Sequence, residues 1–150
     1  MVVIDVQNLQ GVLPIDDLPL GEWAARVLEE FGLTEAELSV VVVGDPEIRD
    51  LNRTYLGHDR PTNVISFPQQ EGDGPAGSHL GDVVISIERA SAEAREAGLG
   101  LDERMLQLLI HGICHLLGYD HERGTKEQAA EMEGVEETLF RRIGGGSPGE

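Results

Sequence analysis

The segment 38–43, Leu-Ser-Val-Val-Val-Val, constrains the chain most. Valine loses side-chain freedom in a helix and packs well on a pleated surface. The run is apolar on both alternating faces, so it predicts a strand buried inside a sheet. Hydrophobic residues make up 40% of the 150 residues and aromatics only 4%. The core is therefore built mostly from Val, Leu, Ile and Ala. The length argues for one domain, large enough to bury roughly 70% of the surface its unfolded chain exposes.

Other elements follow from local pattern. Residues 2–6 are apolar and β-branched and predict a first strand. Residues 10–19, with Gly11, Pro14 and Pro19, predict a loop. Leu20, Trp23, Ala24, Val27, Leu28 and Phe31 fall at helical spacing, and Gly32 ends that helix. Asp45-Pro46 reads as an N-cap followed by proline at the first helical position, with Ile48, Leu51 and Tyr55 on the inner face. Residues 62–67 predict a strand closed by Pro68, 69–79 a flexible loop, and 80–87 another strand. An Ala-rich helix over 88–97 stops at Gly98, and a helix over 101–117 is apolar except along one stripe. Thr125-x-x-Gln128 is a capping-box pattern opening a last helix, whose buried side is Ala129, Met132, Val135, Leu139 and Ile143. These readings predict a single domain over 1–143 and a disordered Gly-rich tail over 144–150. Strands interleaved with helices, then a helical last third, argue for α+β or mixed α/β with one sheet.

Charge narrows the function classes. Eleven basic residues against 28 acidic ones give −17. That excludes a broad basic nucleic-acid footprint, so any RNA contact needs a local patch. The single cysteine, Cys114, excludes an internal disulfide and a Cys-based zinc cluster, and it fits a reducing compartment. By periodicity it faces the core. No apolar run approaches ~18 residues, so no membrane span is expected. Met1-Val2-Val3-Ile4-Asp5 lacks the basic start and apolar run of a signal peptide. The expected address is the cytoplasm.

Three of the five histidines fall within eleven residues: His111, His115 and His121. His111 and His115 are i, i+4, so both rings lie on one face of the 101–117 helix. That face also carries Arg104 and Gln107, while the other positions are apolar. Such a pair alone is an ordinary feature of helices. Gly118 is placed to end the helix and turn the chain back, bringing His121 to the same point. Three imidazoles with an open fourth position is the layout of a catalytic zinc site. Asp120 is the candidate acceptor for a ligand's other N–H. The spacing His-x₃-His-x₂-Gly-x₂-His matches the zinc signature of metzincin proteases, except that their general-base glutamate is replaced by Gly112.

The wider pattern resembles a known family. Leu51-Asn52-x-x-Tyr55, Asp59-x-Pro61-Thr62-Asn63-Val64-Ile65-Ser66-Phe67-Pro68, Leu80-Gly81-Asp82-Val83-Val84-Ile85 and the block from His111 to His121 occur in order over nearly the whole chain. Together they are similar to the YbeY family of bacterial rRNA maturation factors. The resemblance implies an α+β fold with a four-stranded mixed sheet packed by about five helices. It also implies one zinc ion, with nickel the alternative, held by His111, His115 and His121 on a C-terminal helix and the turn after it. The activity it implies is single-strand endoribonuclease cleavage in small-subunit rRNA 3′-end processing and ribosome quality control. The implied partners are single-stranded RNA, rRNA and the small ribosomal subunit with its proteins.

One position departs from that pattern. The family usually carries arginine directly after the aromatic of Leu-Asn-x-x-Tyr, where this chain has Leu56. Leucine cannot hold a phosphate or stabilise developing charge, which predicts a weakened nuclease. Arg60 is the candidate catalytic replacement, and Arg53, Arg60, Thr62 and Ser66 are candidate substrate-binding residues. Thr62 and Ser66 are expected on one side of a strand. Asp82 either contacts the site or ends a turn after Gly81, and Met132 is expected in the core. Two rival functions remain: a non-enzymatic, zinc-stabilised ribosome assembly factor, and a metzincin-like metalloprotease.

Overall fold

The computed structural model describes residues 2–69, 79–118 and 126–145. The valine run forms β2 (Glu37–Val43), and the chain builds a sheet around it. β1 (Val3–Asn8) and β4 (His79–Ser86) flank β2 in parallel, and β3 (Val64–Pro68) pairs antiparallel with β4. The spatial order is β1-β2-β4-β3, a four-stranded mixed sheet. β1 runs two residues past the predicted end because pairing continues to Asn8 opposite Val42.

Alternation along the central strands splits the core in two. Leu38, Val40 and Val42 of β2 and Val83 and Ile85 of β4 join one buried cluster with residues of α1 (Leu20–Glu30), α4 (Leu101–Leu116) and α5 (Lys126–Phe140). Val41 and Val43 of β2 and Val84 of β4 face the other way, toward Ile48 of α2 (Asp45–Leu51). Continuous apolarity in 38–43 thus reflects a strand used on both sides. α3 (Ile87–Ala97) leaves β4 without a loop, so Ile87 opens a helix instead of closing the strand. Gly32 and Gly98 follow α1 and α3 with φ near +75°, as their predicted stop role requires.

Several local expectations are corrected. The N-cap of α2 is Gly44, not Asp45, and the Gly44 N–H donates to Glu47 at 3.1 Å. Asp45 is thereby free to join α2 to α3. Its carboxylate accepts from Ser86 Oγ at 2.7 Å, while Ser86 Oγ accepts from the Arg89 N–H at 3.2 Å and caps α3. α2 continues as a π turn over Asn52–Leu56, which rotates Tyr55 off the buried stripe; it is 65% exposed and meets the Phe67 ring edge-on at 5.4 Å. β3 starts at Val64, so Thr62 precedes the strand, and Pro68 is its last residue. On α5, Met132 and Leu139 are buried, as expected. Gly144 and Gly145 belong to a second π turn, Arg141–Gly145, in which Gly144 packs against Leu106, so the helical body extends past 143. Thr125 and residues 146–150 lie outside the described residues.

Candidate metal centre and its cleft

α4 carries the predicted polar stripe. Its other faces are filled by Met105, Leu106, Leu109, Ile110, Ile113 and Cys114, all buried. Burial on those faces leaves the stripe only one way to point, into a cleft of about 440 Å³ between α4, α5 and the segment entering β3. Arg104, Gln107 and His111 line it from α4, Asn63 from before β3, and Glu133, Glu136 and Glu137 from α5.

His111 and His115 come together as their spacing predicts. Their Nε2 atoms are 3.1 Å apart, and the rings meet at 71° with centroids 4.6 Å apart. Two nitrogens bound tetrahedrally to one zinc at about 2.0–2.1 Å would stand about 3.3 Å apart. The pair therefore fits two ligand positions of a common ion. His121 and Asp120 lie outside the described residues. Among the described residues, no three His, Cys, Asp or Glu side chains group to hold a metal.

Glu136 is the residue that sequence reasoning missed. Its Oε2 accepts from His111 Nδ1 at 2.5 Å. It stands four residues after Met132 and three before Leu139, inside the apolar stripe of α5. A carboxylate on a buried stripe needs a partner, and that was the readable signal. The same charge reaches Cys114. Burial first, and Glu136 second, push its thiol up to about 12.

Arg104 is held in place within the cleft. Its Nε and Nη2 donate to Glu93 at 3.0 and 2.8 Å, and Nη1 donates to Gln107 at 2.7 Å. Asn63 donates to the same Glu93 at 3.2 Å.

Other expected site residues are dispersed. Ser66 Oγ donates to the Gly112 carbonyl at 2.7 Å, so this hydroxyl ties β3 to α4. Asp82 lies inside β4 and lines a cavity with Ser39, Phe67 and Val84 on the opposite face of the sheet, so it neither meets His111 nor ends a turn. Arg53 is exposed and donates to Asp50 at 3.0 Å. Arg60 is exposed in the loop after the first π turn, its carbonyl accepting from Asn52 at 2.9 Å. Leu56 is 53% exposed at the end of that turn. None of Arg53, Arg60 and Leu56 lines the cleft beside His111.

Gly112 has a packing reason. A Cβ there would stand 2.6 Å from Val83 Cγ1 and 3.2 Å from Val64 Cγ2. The position after His111 therefore faces the sheet, and a glutamate there would be driven into valines. This geometry removes the residue on which the protease reading depends.

The family model described as Endoribonuclease YbeY matches residues 5–144. An Endoribonuclease YbeY of Syntrophotalea carbinolica is 48% identical over 146 residues, covering 95% of this chain and 97% of that one. One from Aquifex aeolicus is 50% identical over 107 residues, 71% of each chain. The solution structure of TM1509 from Thermotoga maritima superposes with a TM-score of 0.59 at 27% identity, covering 100% of this chain and 99% of the other. Matched over nearly its whole length, the chain belongs to the Endoribonuclease YbeY family.

Proposed function

We propose that this protein is a metal-dependent single-strand endoribonuclease acting in small-subunit rRNA 3′-end maturation and ribosome quality control. One zinc ion, with nickel the alternative, is held by His111, His115 and His121. The observation that carries this reading is the approach of the His111 and His115 Nε2 atoms to 3.1 Å, with His111 lining the cleft, in a chain of the Endoribonuclease YbeY family. When bound, zinc supplies a Lewis acid for a phosphoryl oxygen and a water whose pKa is lowered toward ~7. His111 and His115 act as neutral imidazoles. Single-stranded RNA enters along β3, an edge strand of the sheet. Arg53 and Arg60 are the candidate phosphate contacts, with Arg60 the candidate for charge stabilisation near position 56. The site of action is the cytoplasm, with rRNA and small-subunit proteins as partners.

The test is cleavage of single-stranded RNA by wild-type protein, by His115→Ala and by chelator-treated protein, with zinc measured in each. Cleavage that needs both His115 and the metal supports the proposal. Chelator-resistant cleavage that His115→Ala leaves intact overturns it. A second reading, a zinc-stabilised assembly factor with little nuclease activity, is favoured by Leu56. It predicts ribosome association without RNA cleavage.

A further inference from the structure

We infer that Glu136 is a positioning residue that fixes the tautomer and orientation of His111, which makes α5 part of the metal centre. The inference rests on the metal reading above. A helical histidine can rotate about two side-chain bonds and carry its proton on either ring nitrogen. To bind a metal through Nε2 it must keep that atom unprotonated and aimed at the ion. A carboxylate only accepts, so the contact between Glu136 Oε2 and His111 Nδ1 places the proton on Nδ1. The Nε2 lone pair is then left facing His115 Nε2, 3.1 Å away. Glu136 is 23% exposed, so solvent competes weakly for its oxygen. Met132 and Leu139, buried on the same stripe, anchor the helix that delivers it. The orientation of a ligand on α4 thus depends on a side chain 25 residues downstream on another helix.

Two measurements test this. Nitrogen NMR of metal-free wild-type protein should show His111 protonated on Nδ1. Zinc affinity, measured by competition with a chromophoric chelator, should fall about 10–100-fold in Glu136→Ala. Glu136→Gln keeps the shape and an acceptor oxygen but not the charge, so it should keep the Nδ1–H tautomer and lose less affinity than Glu136→Ala. Circular dichroism and thermal melting of both variants identify any loss of fold, and the wild-type NMR measurement needs no variant. His111 protonated on Nε2 in the wild type, or folded variants binding zinc as tightly as wild type, would overturn the inference. A wild type that takes up no zinc overturns the metal reading instead, while the tautomer measurement still decides the role of Glu136.

Discussion

At the scale of single residues, three positions can be argued from their surroundings. Leu56 is half exposed, so arginine there displaces no core packing. Leu56→Arg should change stability by no more than about 0.5 kcal/mol. If charge at this position assists the reaction, the same variant should raise RNA cleavage, since one well-placed donor is worth on the order of 10²–10³ in rate. If Arg60 already serves, Arg60→Ala should abolish cleavage and Leu56→Arg should change little. Kinetics on the two variants, with melting curves, separate the accounts. Gly112 behaves oppositely. Gly112→Glu drives a carboxylate against Val83 and Val64, so it should destabilise by several kcal/mol in urea unfolding and produce no peptidase. Cys114 is fully buried and its thiol is pushed up to about 12, so native protein at pH 8 should resist alkylation that unfolded protein undergoes rapidly. The histidine pair was legible because i, i+4 spacing is a local property of a helix. That Glu136 needs a partner is readable from its place on the α5 stripe, but which partner it finds, like the inward face of Gly112, depends on which element packs opposite.

At the scale of elements, the two clusters under and over the sheet explain which boundaries could be read. Apolar periodicity gave α1, β2, α4 and the buried face of α5, because each buries a stripe long enough to show its period. The errors fell where a tertiary partner decides. β3 lost Thr62, α2 was capped one residue earlier, and a π turn took Tyr55 to the surface. Ser86 marks such a junction, since its hydroxyl accepts from the Arg89 N–H and donates to Asp45. Ser86→Ala removes the α3 cap and leaves the Asp45 carboxylate short of a donor. It should cost about 1–2 kcal/mol in chemical denaturation. Gly134 gives the reverse case. It sits in α5 with nothing within 4 Å of where a Cβ would be. Gly134→Ala should therefore stabilise the protein by up to about 1 kcal/mol, read as a higher urea midpoint with an unchanged slope.

At the scale of the whole molecule, the charge sets how a polyanion can approach. The chain carries −17, and the cleft beside His111 is lined by three glutamates with one arginine already bonded to Glu93. An acidic cleft suits a divalent cation and opposes phosphates until that charge is neutralised or screened. For a protein with a basic footprint, adding salt weakens nucleic-acid binding through counterion release. Here the long-range term has the other sign. The screening length shrinks from about 30 Å at 0.01 M to about 10 Å at 0.1 M. Over that range the association rate of a short fluorescent single-stranded RNA with zinc-loaded protein should rise, and millimolar Mg²⁺ should raise it further. Stopped-flow measurement across the series reads the slope directly. A rate that falls steadily with salt would mean that approach is governed by a local basic patch. Arg53→Ala and Arg60→Ala should then flatten the dependence, which would place the RNA path over the first π turn and the loop after it.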